Sequence, residues 1–124
     1  MLLVLYEYLH AYSLVQVIID YLKMDVEGAE WNSLKSMTQS DVLSRVKQLG
    51  LEIHVQADAA MLYEYWTVLN GLEKRGFRRW YWAMNFRGHN IYMVKTGSRS
   101  CCYEMVYINV NFMQSNRLRP IRKV

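Results

Sequence analysis

Leu2, Leu5, Tyr6 and Leu9 recur at helical spacing with Ser13, so residues 2–15 are predicted to form an amphipathic helix. The pattern then becomes β-branched and almost continuously apolar (Val-Ile-Ile-Asp-Tyr-Leu-Lys-Met-Asp). This predicts a strand over residues 18–25, opened by Ile18 and closed by Asp25, with both faces covered, as such runs usually are. Lys23 is out of place in it. Gly28 punctuates its end, and residues 29–37 read as a helix with Trp31, Leu34 and either Ser33 or Met37 near one side. Ser40 is a candidate N-cap for a short helix with Val42, Leu43, Val46 and Leu49 inward and Gly50 as its stop. Leu51-Glu52-Ile53-His54-Val55 alternates strictly and predicts a second strand. Asp58 can cap a longer helix with the stripe Leu62, Tyr65, Trp66, Leu69 and Leu72, closed by Lys74, Arg75 and Gly76. Beyond it, residues 77–86, 90–95 and 103–110 are aromatic and β-branched, read as strands separated by turns at 87–89 and 96–100. From Asn111 the pattern decays into a basic tail.

Strands alternating with helices imply an α/β fold with a mostly parallel sheet, here ending in an antiparallel C-terminal hairpin. The strand at 18–25 is expected beside and parallel to the one at 51–55, with the helix at 58–75 across one face. At 124 residues this is one domain, placed at 1–110 and followed by the tail at 111–124. The composition, 52% hydrophobic and 21% charged, excludes a disordered chain or a coiled coil.

Charge is uneven. Residues 1–62 hold four Lys or Arg against eight acids, and residues 63–124 hold eleven against three. The basic residues fall into small groups, chiefly Lys74, Arg75, Arg78 and Arg79, then Arg117, Arg119, Arg122 and Lys123. They read as a solvated face and a solubilising tail, with no strong nucleic-acid signal. Cys101 and Cys102 are adjacent, a spacing poorly suited to a disulfide, and are taken as small apolar strand residues; no metal-ligand spacing is present. The apolar start lacks a basic leader region and contains Glu7 and His10. No run of about 18 apolar residues occurs, so no transmembrane segment is predicted.

The block Ile19-Asp20-Tyr21-Leu22-Lys23-Met24-Asp25-Val26-Glu27-Gly28-Ala29-Glu30-Trp31 is the most specific feature. It resembles the strand-to-helix signature of FkbM-like and methyltransferase-like S-adenosylmethionine-dependent methyltransferases. Leu51-Glu52-Ile53-His54 and Gly76-Phe77 with its aromatic strands resemble later blocks, so the resemblance covers about residues 15–110. It implies a partial Rossmann-like sheet that transfers a methyl group from S-adenosylmethionine to an unknown acceptor.

Open α/β sheets bind ligands beyond the carboxyl ends of their strands, where Asp25, Glu27 and Gly28 lie, with Glu52 and His54 near the end of the next strand. Asp25, Glu27 and His54 are therefore the catalytic candidates, and Asp25, Gly28 and Glu52 the cofactor-binding ones. Lys23 either pairs with a carboxylate or acts in the site. Glu30 suits the helix N-terminal dipole, and His54 is either a hydrogen-bonded strand histidine or a general base. Trp80 and Trp82 are expected on one sheet face as packing residues.

The family holds its methyl donor mainly through a glycine-rich loop after its first strand, and no such loop precedes Ile18. The first three strands are thus expected to be missing, which leaves the strand from Ile18 to Asp25 as an open apolar edge prone to self-association. Donor binding by the chain alone is expected to be absent or millimolar. The alternative is a non-catalytic interaction module that uses this edge or the basic surface.

Overall fold

The computed structural model describes residues 17–85, 87, 90–93 and 97–116. The helix expected at 2–15 and the tail from 117 lie outside them, as do parts of the expected turns around 88–89 and 94–96.

The element order is β1 (Ile19–Met24), α1 (Glu30–Thr38), a 3-10 turn (Val42–Arg45), β2 (Val46–His54), α2 (Ala59–Lys74), β3 (Phe77–Met84), β4 (Asn90–Met93), β5 (Gly97–Ser100), β6 (Cys102–Asn109) and α3 (Asn111–Asn116). β1 and β2 pair in parallel, with Met24 beside Leu51. β6 is antiparallel to both β2 and β3, giving the sheet order β1-β2-β6-β3. Only one of the three ladders is therefore parallel, fewer than a mostly parallel sheet implies. The strands β1, β2 and β3 still run the same way, and β6 alone returns between β2 and β3. β4 and β5 form a separate antiparallel hairpin.

The core lies between one sheet face and the helices. Leu49, Leu51 and Ile53 of β2, with Met105 and Tyr107 of β6, pack against Trp31, Leu34 and Met37 of α1 and Tyr65, Val68 and Leu72 of α2. Asp58 caps α2 by accepting from the Met61 N–H at 3.0 Å, and Gly76, at φ +94°, ends it in a left-handed conformation that favours glycine. Val68 rather than Trp66 occupies the inner stripe, because a buried Tyr65 at i−3 rotates Trp66 into solvent.

Several expectations fail here. Residues 46–50 are strand, not helix: Leu49 and Leu51 face the core from alternate positions, and Gly50 lies under the Tyr21 ring, where a Cβ would collide with the phenol. Nothing among the described residues covers β1 on both faces. Among the described residues it is an edge strand with Ile18, Tyr21 and Lys23 exposed and Met24 buried. The expected turn at 96–100 contains β5, stabilised by cross-strand pairing with β4 that propensity alone does not reveal. The first residues of the expected basic tail, Asn111–Asn116, form a short helix. Trp80 and Trp82 are exposed, and a bulge between Arg79 and Tyr81 breaks the alternation that was to align them. Cys101 and Cys102 are joined by a disulfide. Cys101 is a bend residue between β5 and β6, so the two side chains do not alternate across a sheet as strand residues would.

Candidate functional site

Residues 26–29 make a tight turn closed by the Ala29 N–H donating to the Val26 carbonyl at 3.2 Å. Its central residues are both left-handed, Glu27 at φ +51° and Gly28 at φ +96°. Gly28 adopts this freely, whereas Glu27 is held there at a cost of about 1 kcal/mol. The turn reverses the chain from β1 into α1 and brings Glu30 back beneath it.

Glu30 is completely buried, at 0% exposure, and three donors converge on it. The Gly28 N–H reaches Oε2 at 2.8 Å, while the His54 backbone N–H and ring Nδ1 reach Oε1 at 2.6 and 2.7 Å. A carboxylate only accepts, so Nδ1 carries the hydrogen, and in the neutral ring Nε2 is the acceptor. Nε2 faces the exposed Glu27 carboxylate at 3.6 Å. Trp31 completes the clamp by donating its indole N–H to the His54 carbonyl at 2.6 Å. Its ring stacks on Tyr65 at 3.9 Å between centroids, and burial pushes the Tyr65 phenol above its ordinary value. His54 is thus fixed through its backbone N–H, its carbonyl and one ring nitrogen, with the other ring nitrogen outward.

Of the expected site residues, the fold brings together Glu27, Gly28 and His54. Asp25 follows β1 immediately, and its exposed carboxylate makes no hydrogen bond or ion pair with a described residue. Glu52 shares the His54 face of β2 but accepts from the Asn85 side-chain amide at 2.7 Å. Lys23 is exposed. Sequence reasoning missed Glu30 as the hub, having assigned it to the helix dipole. Nothing local distinguishes those roles, because its partner His54 is 24 residues away. Trp31 and Asn85 were missed for the same reason. Among the described residues no group of three or more His, Cys, Asp or Glu is arranged to hold a metal ion. An open cleft of about 340 Å³ lies on the opposite face of β2, lined by Ile53, Val55, Arg79, Trp82, Tyr103 and Met105.

A buried carboxylate fixing the tautomer and orientation of an outward-facing imidazole is a general-base arrangement.

Comparison with known proteins supplies the chemical context. The methyltransferase FkbM domain matches residues 9–80, more than half of the chain and the segment containing Glu27, Glu30 and His54. The human "Probable methyltransferase-like protein 24" is 28% identical over 103 residues, covering 76% of this chain and 28% of the relative. The rat protein of the same name is 27% identical over the same shares. The chain therefore spans well under a third of the length of these curated relatives. No solved structure matches it significantly.

Proposed function

Because the chain belongs to the methyltransferase FkbM domain family, we propose that it forms the acceptor-activating part of an S-adenosylmethionine-dependent methyltransferase domain. In this reading His54 removes the proton from an oxygen or nitrogen nucleophile as that atom is methylated. The observation that carries it is the buried Glu30 carboxylate on His54 Nδ1, which leaves Nε2 as the outward proton acceptor. Three co-directional strands, with helices in the connections from β1 to β2 and from β2 to β3, support a Rossmann-like reading, and His54 ends β2 at the edge where such sheets bind ligands. Glu27 stands beside Nε2, its carboxylate 3.6 Å away.

The described residues do not by themselves fit the methyl donor. An adenosyl group needs a preformed, partly apolar pocket. Here Asp25 is exposed, Gly28 N–H is committed to Glu30, and Glu52 is bonded to Asn85. These residues line one wall at most, so donor affinity of the chain alone is expected to be absent or about millimolar. Calorimetric titration with S-adenosylmethionine tests this, and micromolar affinity lost in Asp25→Ala would refute it. For the base, His54→Gln in the full-length protein is expected to lower methyl transfer about 100-fold or more, and an unchanged rate would exclude His54 from the chemistry.

A second reading has its own observation. Among the described residues β1 pairs only with β2, and Val17, Ile18 and Tyr21 are exposed along it. The chain is then an interaction module that self-associates through this edge.

A further inference from the structure

The opposite edge of the sheet carries a surface that proton abstraction does not use. β3 pairs only with β6 among the described residues, and its bulge leaves Trp80 without a ladder partner and 77% exposed. Tyr81 and Trp82 are half-exposed, Met84 follows them, and Tyr92 on the next hairpin is 72% exposed. Apolar residues scattered singly on a surface need no explanation, but a run of them marks an interaction site. Four exposed arginines, Arg78, Arg79, Arg87 and Arg99, lie on the same strand, turn and hairpin. None forms an ion pair with a described acid. Among the described residues Arg78 and Arg99 donate to backbone carbonyls alone. The nearby acids are Glu73, at the end of α2, Glu104, beside Ala83, and Glu52, which lies across from Glu104 and accepts from the Asn85 amide.

We propose that this edge docks on an anionic phospholipid surface, with the rings in the interfacial layer and the guanidinium groups on lipid phosphates and carboxylates. The charge is complementary, and Trp and Tyr favour the headgroup level of a bilayer. The arrangement of the rings separates this partner from two others. Trp82 sits beside Met105 on the helix-bearing face, and Tyr81 beside Val106 on the other. A platform for single-stranded nucleic acid stacks successive bases along one basic groove, whereas these rings are split between the two faces of the edge, with Trp82 and Arg79 at the open cleft on one of them. An added peptide strand needs a regular free edge, and the bulge interrupts this one.

The test is flotation of the full chain with vesicles of phosphatidylcholine, with and without phosphatidylserine, while tryptophan emission is followed. Binding and a blue shift are expected only with phosphatidylserine, weakening as salt is raised. Arg79→Ala and Arg87→Ala should each lower the partition coefficient about fivefold. Trp80→Ala, at an exposed position, should lower it further, with the circular dichroism spectrum unchanged in all three. Absence of binding, equal binding to both vesicles, or partition indifferent to salt and to the arginine substitutions would overturn the proposal. So would oligothymidylate or polyglutamate binding that displaces the vesicles and is lost in the same variants. Each of these results is independent of His54.

Discussion

At the level of single residues, Glu30 carries both structure and chemistry. Its carboxylate replaces water for three donors drawn from the turn after β1 and from His54. Glu30→Ala strands the His54 N–H in a part-buried position and releases the turn. The expected loss is on the order of 3 kcal/mol, read as a lower urea midpoint at unchanged slope; a loss below about 1 kcal/mol would mean that water substitutes for the carboxylate. His54→Gln keeps the backbone N–H and carbonyl that Glu30 and Trp31 hold. It should therefore cost much less stability while abolishing the base, which separates the structural half of the interaction from the chemical half.

At the level of elements, α2 shows where local chemistry is decisive. Asp58 satisfies one of the N–H groups left free at its start, and Asp58→Ala is expected to cost about 1 kcal/mol. Gly76→Ala should cost at least as much, roughly 1–2 kcal/mol for a left-handed alanine. A Cβ there would also crowd the Asn111 amide, and Asn111 in turn holds the Arg75 carbonyl. Parallel urea denaturations of the two variants provide the comparison, and a neutral Gly76→Ala would show that the α2–β3 corner relaxes. Gly50 differs from both: the obstacle to its Cβ is the far end of the half-exposed Tyr21, which can swing into solvent. Its role is set by a neighbouring strand, not by its own turn.

At the level of the whole molecule, burial couples the fold to alkaline pH. Tyr107 is buried in the sheet core, and desolvation raises its phenol above the ordinary value of 10.0, outweighing the pull of nearby Arg79. The folded chain therefore holds a proton that the unfolded chain releases. This stability is intact below about pH 10 and is lost as pH rises through the folded value. Tyr107→Phe should flatten that decline in a series of urea melts from pH 9 to 11, and an unchanged slope would assign the loss elsewhere. The open β1 edge makes a second prediction at this scale. Sedimentation should show concentration-dependent association that Ile18→Lys suppresses, because charge on an edge strand blocks pairing.

Local periodicity and punctuation were enough to place several elements. The strand around Ile19–Met24, the helix capped by Asp58 and stopped by Gly76, and the alternation through Leu51–His54 are all recorded in side chains a few residues apart. The sequence also contained the family signature around Asp25–Glu30. Which residues in that signature act together depends on pairing between distant segments. The parallel pairing of Met24 with Leu51 carries the turn at 26–29 to the end of β2, so Glu30 rather than Asp25 meets His54. The same dependence on distant partners made strand of residues 46–50, displaced Trp66 with Val68, and exposed Trp80 at a bulge. Each of these outcomes is selected by burial against, or pairing with, a strand or helix far away in sequence, and that energy has no counterpart in the local pattern.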